Sequence, residues 1–232
     1  MSMMGRIQST QGYGARMGVK MLVYGLAGRG KTTLCATCPA PIILSAESGL
    51  LSLARFNLPF LEVKTMNDLR EYFAWFSSSQ EARQFATICL DSISEIGEVV
   101  LSDAKAKNKD GRAAYGDMIE QMSKLIKQFR DLPGYHVYMS AKQERVKDEQ
   151  RGTVMNQPMM PGAKLGQALP YFPDEVFQLD IEGFGPQSYR VLRTQPDFSN
   201  DAKDRSGVLN ALEEPHLGKI IDKISAAGQI SG

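Results

Sequence analysis

The sequence is poor in the residues that mark several protein classes. It has 3 cysteines, 2 histidines and 1 tryptophan in 232 residues. An odd cysteine count without paired spacing fits a reducing cytosol better than a disulfide framework. No run approaches the roughly 20 apolar residues that cross a bilayer, so no membrane span is expected. The opening Met1-Ser-Met-Met-Gly5 and the residues after it carry no apolar core of a secretory signal. Charge of one sign is also missing: 27 Lys and Arg face 26 Asp and Glu. That balance excludes a purely electrostatic nucleic-acid coat while leaving room for local basic segments. The 43% apolar and 23% charged residues are those of an ordinary globular chain, of a length that suits one α/β core.

Short apolar runs bounded by turn residues predict strands at Lys20–Tyr24, Pro41–Glu47, Leu61–Lys64, Ala86–Asp91 and His136–Ala141. Thr65 and Asp68 resemble a capping box and predict a helix from about Asn67. Met118, Ile119, Met122, Leu125, Ile126 and Phe129 recur at helical spacing within Tyr115–Arg130. Val176–Glu182 and Ser188–Thr194 read as two strands of a hairpin, and His216–Ala226 as a closing helix. Residues 1–18 lack periodicity and read as a flexible arm, leaving 19–227 as a single core. Strand and helix alternate through the first two-thirds of the chain. The expected fold class is therefore α/β, a mostly parallel central sheet flanked by helices, with a C-terminal antiparallel hairpin.

Gly25-Leu-Ala-Gly-Arg-Gly-Lys31-Thr32 matches G-x-x-x-x-G-K-[ST] between an apolar strand and an expected helix. Gly25, Gly28 and Gly30, with Arg29 between them, let the backbone turn its N–H groups around phosphate oxygens. Lys31 reaches the β- and γ-phosphates, Thr32 supplies a hydroxyl to Mg²⁺, and Thr33 continues the turn. ATP with Mg²⁺ is the expected cofactor pair. Asp91 closes an apolar strand and is the second metal-holding group. Its neighbour is Ser92, not the glutamate that serves as base in many P-loop ATPases. Glu47 ends another strand and can face the γ-phosphate beside Asp91 as the base that orients water. Glu95 and Glu98 on the following helix are less well placed. Ser140 ends a further strand and reads as a phosphate sensor, with Lys142 and Gln143 just beyond it.

Taken together, these residues resemble the RecA-like recombinase core: Gly25–Thr32, Ala46-Glu47, Asp91-Ser92 and Ser140 follow in the family's order. The family's usual Asn-Gln strand tip is absent. More narrowly, the chain resembles phage-encoded ATPases of this class, the Sak-type single-strand annealing proteins. Tyr24–Thr33, Tyr115-Gly-Asp-Met118 and Ala202-Lys-Asp-Arg-Ser-Gly207 carry that likeness, which spans roughly residues 20–224. The resemblance implies a minimal RecA-like P-loop NTPase that hydrolyses ATP, binds and anneals single-stranded DNA, and assembles as a ring or filament. It further implies a single-strand-binding protein as a partner and the bacterial host cytoplasm as location.

Two segments lie where that family meets DNA. Residues 103–115 carry Lys105, Lys107, Lys109 and Arg112, with Gly111 for flexibility and Tyr115 as a stacking face. Residues 142–164 carry Arg145, Lys147, Arg151 and Lys164, with Met155, Pro158, Met159 and Met160 as apolar wedges. Each segment has a net charge of about +2, enough to follow a phosphate backbone when several subunits line up. Each also reads as a solvated loop of mixed charge with a hairpin. Lys203 or Arg205, with Arg193 as a further candidate, would steady transition-state charge in a neighbouring subunit. Cys35 and Cys38 form a C-x-x-C without a second pair, so they read as plain thiols. Two other functions fit the same motifs. One is a small-molecule kinase with 142–164 as a lid; the other is a non-hydrolysing nucleotide switch or helicase-loading adaptor.

Overall fold

The computed structural model describes residues 7, 9–47, 49–148 and 152–228. Its centre is a ten-stranded sheet. The strands are β1 (Lys20–Gly25), β2 (Pro41–Ser45), β3 (Phe60–Glu62), β4 (Thr87–Asp91), β5 (His136–Asp148), β6 (Thr153–Met159), β7 (Glu175–Glu182), β8 (Tyr189–Arg193), β9 (Lys203–Asp204) and β10 (Leu212–Glu213). The order across the sheet is β10-β8-β7-β1-β5-β4-β2-β3. The run from β3 to β7 is parallel, and the β7–β8 hairpin adds the antiparallel edge. Both faces are covered. Every residue of β1 and β4 is buried, which is why these strands read as continuous apolar runs and not as alternation.

Six α-helices are described: α1 (Tyr13–Met17), α2 (Met66–Ser78), α3 (Ile93–Lys107), α4 (Gly111–Asp131), α5 (Ala163–Ala168) and α6 (Leu217–Ala227). Leu22, Tyr24, Leu90 and Met139 point to the face packed by α2, α3 and α4. Val23, Cys89, Tyr138 and Leu192 point to the other, where Leu34, Cys35, Leu217, Ile220 and Ile221 cover them. The expected capping box is present: Thr65 Oγ1 accepts from Asp68 N, and Asp68 Oδ2 accepts from Thr65 N.

Three segments differ from the sequence reading. After the phosphate loop comes only a six-residue 3-10 turn, Thr32–Thr37, in place of the expected helix. Cys38 precedes Pro39 and is extended at φ −79°, ψ 149°, as the pyrrolidine ring demands of the residue before it. The basic stretch 103–115 is no flexible loop: α3 runs to Lys107, and α4 starts at Gly111 with Asp110 as its cap, accepting from Arg112 N at 3.0 Å. Of residues 142–164, most of those described also form regular structure. β5 continues past the core to Asp148 and returns as antiparallel β6, with α5 behind it. Arg151 lies outside the described residues. Pro158 and Met160 are buried, so neither is free to wedge between bases, whereas Met155 is half-buried and Met159 exposed.

Candidate active site

The phosphate loop leaves β1 at the carboxyl edge of the parallel strands, where clefts open in this architecture. Gly25 sits where β1 and β7 come closest: a Cβ there would lie 2.6 Å from the Leu179 carbonyl oxygen. Gly28 and Gly30 take φ of 74° and 103°, backbone that L side chains rarely adopt. Lys31 Nζ donates to the Gly25 and Leu26 carbonyls at 2.8 and 3.0 Å, so the ammonium lies along the loop's inner side. The buried Tyr138 hydroxyl donates to the Lys31 carbonyl at 2.7 Å and pins the loop to β5. Burial lowers the Lys31 pKa from its ordinary value, while the charges of Asp91 and Glu47 work against that fall.

A cavity of about 600 Å³ opens over this loop. Gly25, Gly28, Gly30, Lys31, Thr32 and Thr33 form its floor, and Glu47, Asp91 and Ser140 its wall. Arg29 belongs to the loop but does not line the cavity. β2 and β4 are hydrogen-bonded neighbours in register Ser45↔Asp91, which brings the Glu47 and Asp91 tips together as expected. Ser92 Oγ donates to Glu47 Oε1 at 2.6 Å. Asp91 is buried and accepts from the Ser140 hydroxyl. Burial raises its carboxyl above the ordinary carboxylate range, with the Ser140 and Thr32 hydroxyls and Lys31 pulling the other way. Ser140 is thus tied to Asp91 beneath the cavity. Lys142 pairs with Glu95 on the rim. The exposed Met159 completes the rim from β6.

The residues fit a magnesium nucleotide. The positive-φ glycines lie along the cavity, Lys31 supplies a cation, and Thr32 and Asp91 offer adjacent hard oxygens. Among the described residues no group of three or more His, Cys, Asp or Glu side chains can hold a metal alone. A Mg²⁺ bound here would therefore share its coordination with phosphate oxygens and water, as this ion prefers.

The other candidates are elsewhere. Lys203 pairs with Val176 near the start of β7, at the opposite pole from the loop. Its Nζ donates to the Pro170 and Pro173 carbonyls at 2.6 Å each, and Arg205 pairs with Asp174 at 2.9 Å. Both are bound to groups of their own chain, and neither reaches this cavity within the protomer. Arg193 pairs with Glu182. Lys105, Lys107, Lys109 and Arg112 are exposed around the α3–α4 turn, and the Lys105 ammonium lies 5.5 Å from the Tyr115 ring centre. Asp103 Oδ2 accepts from Met66 N at 2.7 Å, so this turn stands beside the start of α2. Arg145 and Lys147 are exposed on the β5 extension and Lys164 on α5.

Two lining residues, Ser52 and Arg190, escaped the sequence reading. Arg190 on β8 reaches the loop, and its Nε lies 3.4 Å from where a Cβ on Gly30 would stand. Only strand alternation hints at it: Arg190 shares a face with Leu192, whereas Arg193 is on the opposite one.

A strand-borne phosphate loop at the carboxyl edge of a parallel sheet, faced by two strand-tip carboxylates, defines a P-loop NTPase. The chain belongs to the AAA domain family, whose model matches residues 17–206. No curated protein matches the sequence significantly. Among solved structures it is similar to a KaiC-like protein from the hyperthermophilic archaeon Pyrococcus horikoshii, at 14% identity over 76% of this chain and 77% of that one, with TM-score 0.47. It is also similar to the flagellar accessory protein FlaH from Methanocaldococcus jannaschii, at 11% identity over 81% and 84% of the two chains, with TM-score 0.43. Among the described residues no helix is long and apolar enough to cross a membrane.

Proposed function

We propose that the chain is a RecA-like ATPase that hydrolyses ATP and acts on single-stranded DNA as a homo-oligomer, promoting annealing or recombination. The observation that carries the hydrolytic part is the meeting of Glu47 with Lys31, Thr32 and Asp91 in one cavity. Lys31 holds the β- and γ-phosphates, and Thr32 with Asp91 holds Mg²⁺, which when bound neutralises charge developing on those phosphates. With Oε1 occupied by Ser92, Glu47 keeps Oε2 to accept a proton from the attacking water. Orientation of that water in line with the γ-phosphate is the protein's main contribution to the step.

The DNA part rests on the two basic segments. The β5–β6 hairpin continues β5 beyond the carboxyl edge from which the phosphate loop springs, and it displays Arg145 and Lys147. Its root is latched beside the cavity, because Ser94 Oγ donates to the Met159 carbonyl at 2.7 Å and accepts from Lys142 N at 2.9 Å. Nucleotide state therefore has a short route to a basic arm. The deciding experiment measures phosphate release with and without single-stranded DNA, together with fluorescent DNA binding across a salt series. Stimulation by DNA supports the reading. Nucleotide binding without turnover, or turnover only with a small phosphate acceptor, overturns it.

A further inference from the structure

Arg190 stands apart from the residues that deal with the γ-phosphate. Asp91 is two strands from β1 through β5, whereas Arg190 is two strands away on the other side, through β7. The cavity thus has a carboxylate end, with Glu47 and Asp91, and a guanidinium end beside Gly30. Leu192, two residues along β8, packs with Leu34 and Cys35 of the 3-10 turn that follows the loop. Strand alternation puts Arg190 on that same sheet face, nearer the carboxyl edge and against the loop. Among the described residues its guanidinium pairs with no carboxylate, while the other arginine of β8, Arg193, is held by Glu182.

We infer that Arg190 is a nucleotide-binding residue that grips the α,β-diphosphate part of the ligand, so that the site holds a nucleoside diphosphate as firmly as it holds the triphosphate through this contact. The glycine-rich loop cradles α- and β-phosphates with its backbone N–H groups, and Gly30 is the loop glycine beside which the Arg190 side chain lies. A guanidinium offers a fork that matches two phosphate oxygens, which a flexible ammonium does not. The contact is made in substrate and product alike. It therefore strengthens binding of both and retards release of the diphosphate. This inference rests on the nucleotide-binding reading given above.

The test is calorimetric binding of ADP, of a non-hydrolysable ATP analogue and of inorganic pyrophosphate, each with Mg²⁺, to the full chain and its variants. Arg190→Ala is expected to weaken all three by a similar factor, about tenfold to a hundredfold. Arg190→Lys is expected to recover only part of that loss. Thermal melting of both variants within about a degree of the parent shows that β8 still folds, as expected for an exposed side chain. Unchanged ADP affinity in Arg190→Ala overturns the inference, and so does a loss confined to the triphosphate, which would place Arg190 on the γ-phosphate. If Lys31→Ala abolishes binding while Arg190→Ala does not weaken it, only this inference fails. If the parent protein binds no nucleotide, the proposed function fails with it.

Discussion

Ser92 and Glu47 come from the tips of neighbouring strands, and the Ser92 hydroxyl donates to the Glu47 carboxylate at 2.6 Å. The same Ser92 oxygen accepts from Glu95 N at 3.3 Å as it caps α3. The serine that occupies the usual place of a catalytic glutamate therefore aims a glutamate supplied from the next strand.

On the proposed reading, replacing that glutamate should separate binding from turnover. Glu47→Gln should lower the ATP hydrolysis rate by about 10²–10⁴-fold, the usual range for losing a general base, while nucleotide affinity changes little. Ser92→Ala should cost less, about tenfold in kcat with KM nearly constant, because it loosens the base without removing it. Phosphate-release kinetics beside equilibrium binding check both, and a Glu47→Gln protein with parental turnover would refute the assignment.

On the proposed reading Lys31 carries the phosphate charge, so Lys31→Ala should abolish measurable nucleotide binding. Single-stranded DNA binding should remain salt-sensitive in this variant but lose its strengthening by ATP. Fluorescence anisotropy across a salt series, with and without ATP, reads both effects.

The hairpin arm should contribute by charge alone. Arg145→Glu and Lys147→Glu should each weaken single-stranded DNA binding by similar factors on unrelated sequences. Each should also reduce the slope of log affinity against log salt by about 1. Both side chains are exposed on β5, so melting temperature should hold. A loss that depends on DNA sequence would point to base contacts instead.

Stability should fall with rising pH through one buried carboxyl. Burial raises Glu175 from 4.5 to about 8, and the nearby Asp204 charge adds to the rise. Because the folded state binds this proton more tightly than the unfolded chain, the contribution is full below pH 4.5. It declines through the window up to about 8, by at most about 1.4 kcal/mol per pH unit. Glu175→Gln should flatten that decline and raise the melting temperature at pH 8 relative to the parent. Denaturant titrations at several pH values measure it, and an equal slope in both proteins would discount Glu175 as the cause.

Much of this molecule was legible in its chain. Buried parallel strands announce themselves as apolar runs, so β1, β2, β4 and the core half of β5 fell where apolar residues cluster. The capping box at Thr65 and the periodic face of α4 act within one turn of helix, and local rules found them. Within 142–164 the sequence allowed a hairpin but set no bounds for β6, because its pairing depends on a partner strand and its composition is mixed and polar. Lys203 and Arg205 drew attention by their charge, but charge does not say which pole of a sheet a residue will occupy.

The sequence by itself determined the chemistry of the phosphate loop, since the glycines, Lys31 and Thr32 are contiguous and their geometry is set by backbone freedom over eight residues. Tertiary structure decided what faces that loop. Glu47, Asp91, Ser92 and Arg190 are far apart in the chain and meet only because strand order and register bring four segments to one edge. Those choices are made by burying two apolar faces at once, a cooperative property of the whole sheet that no local window of residues contains.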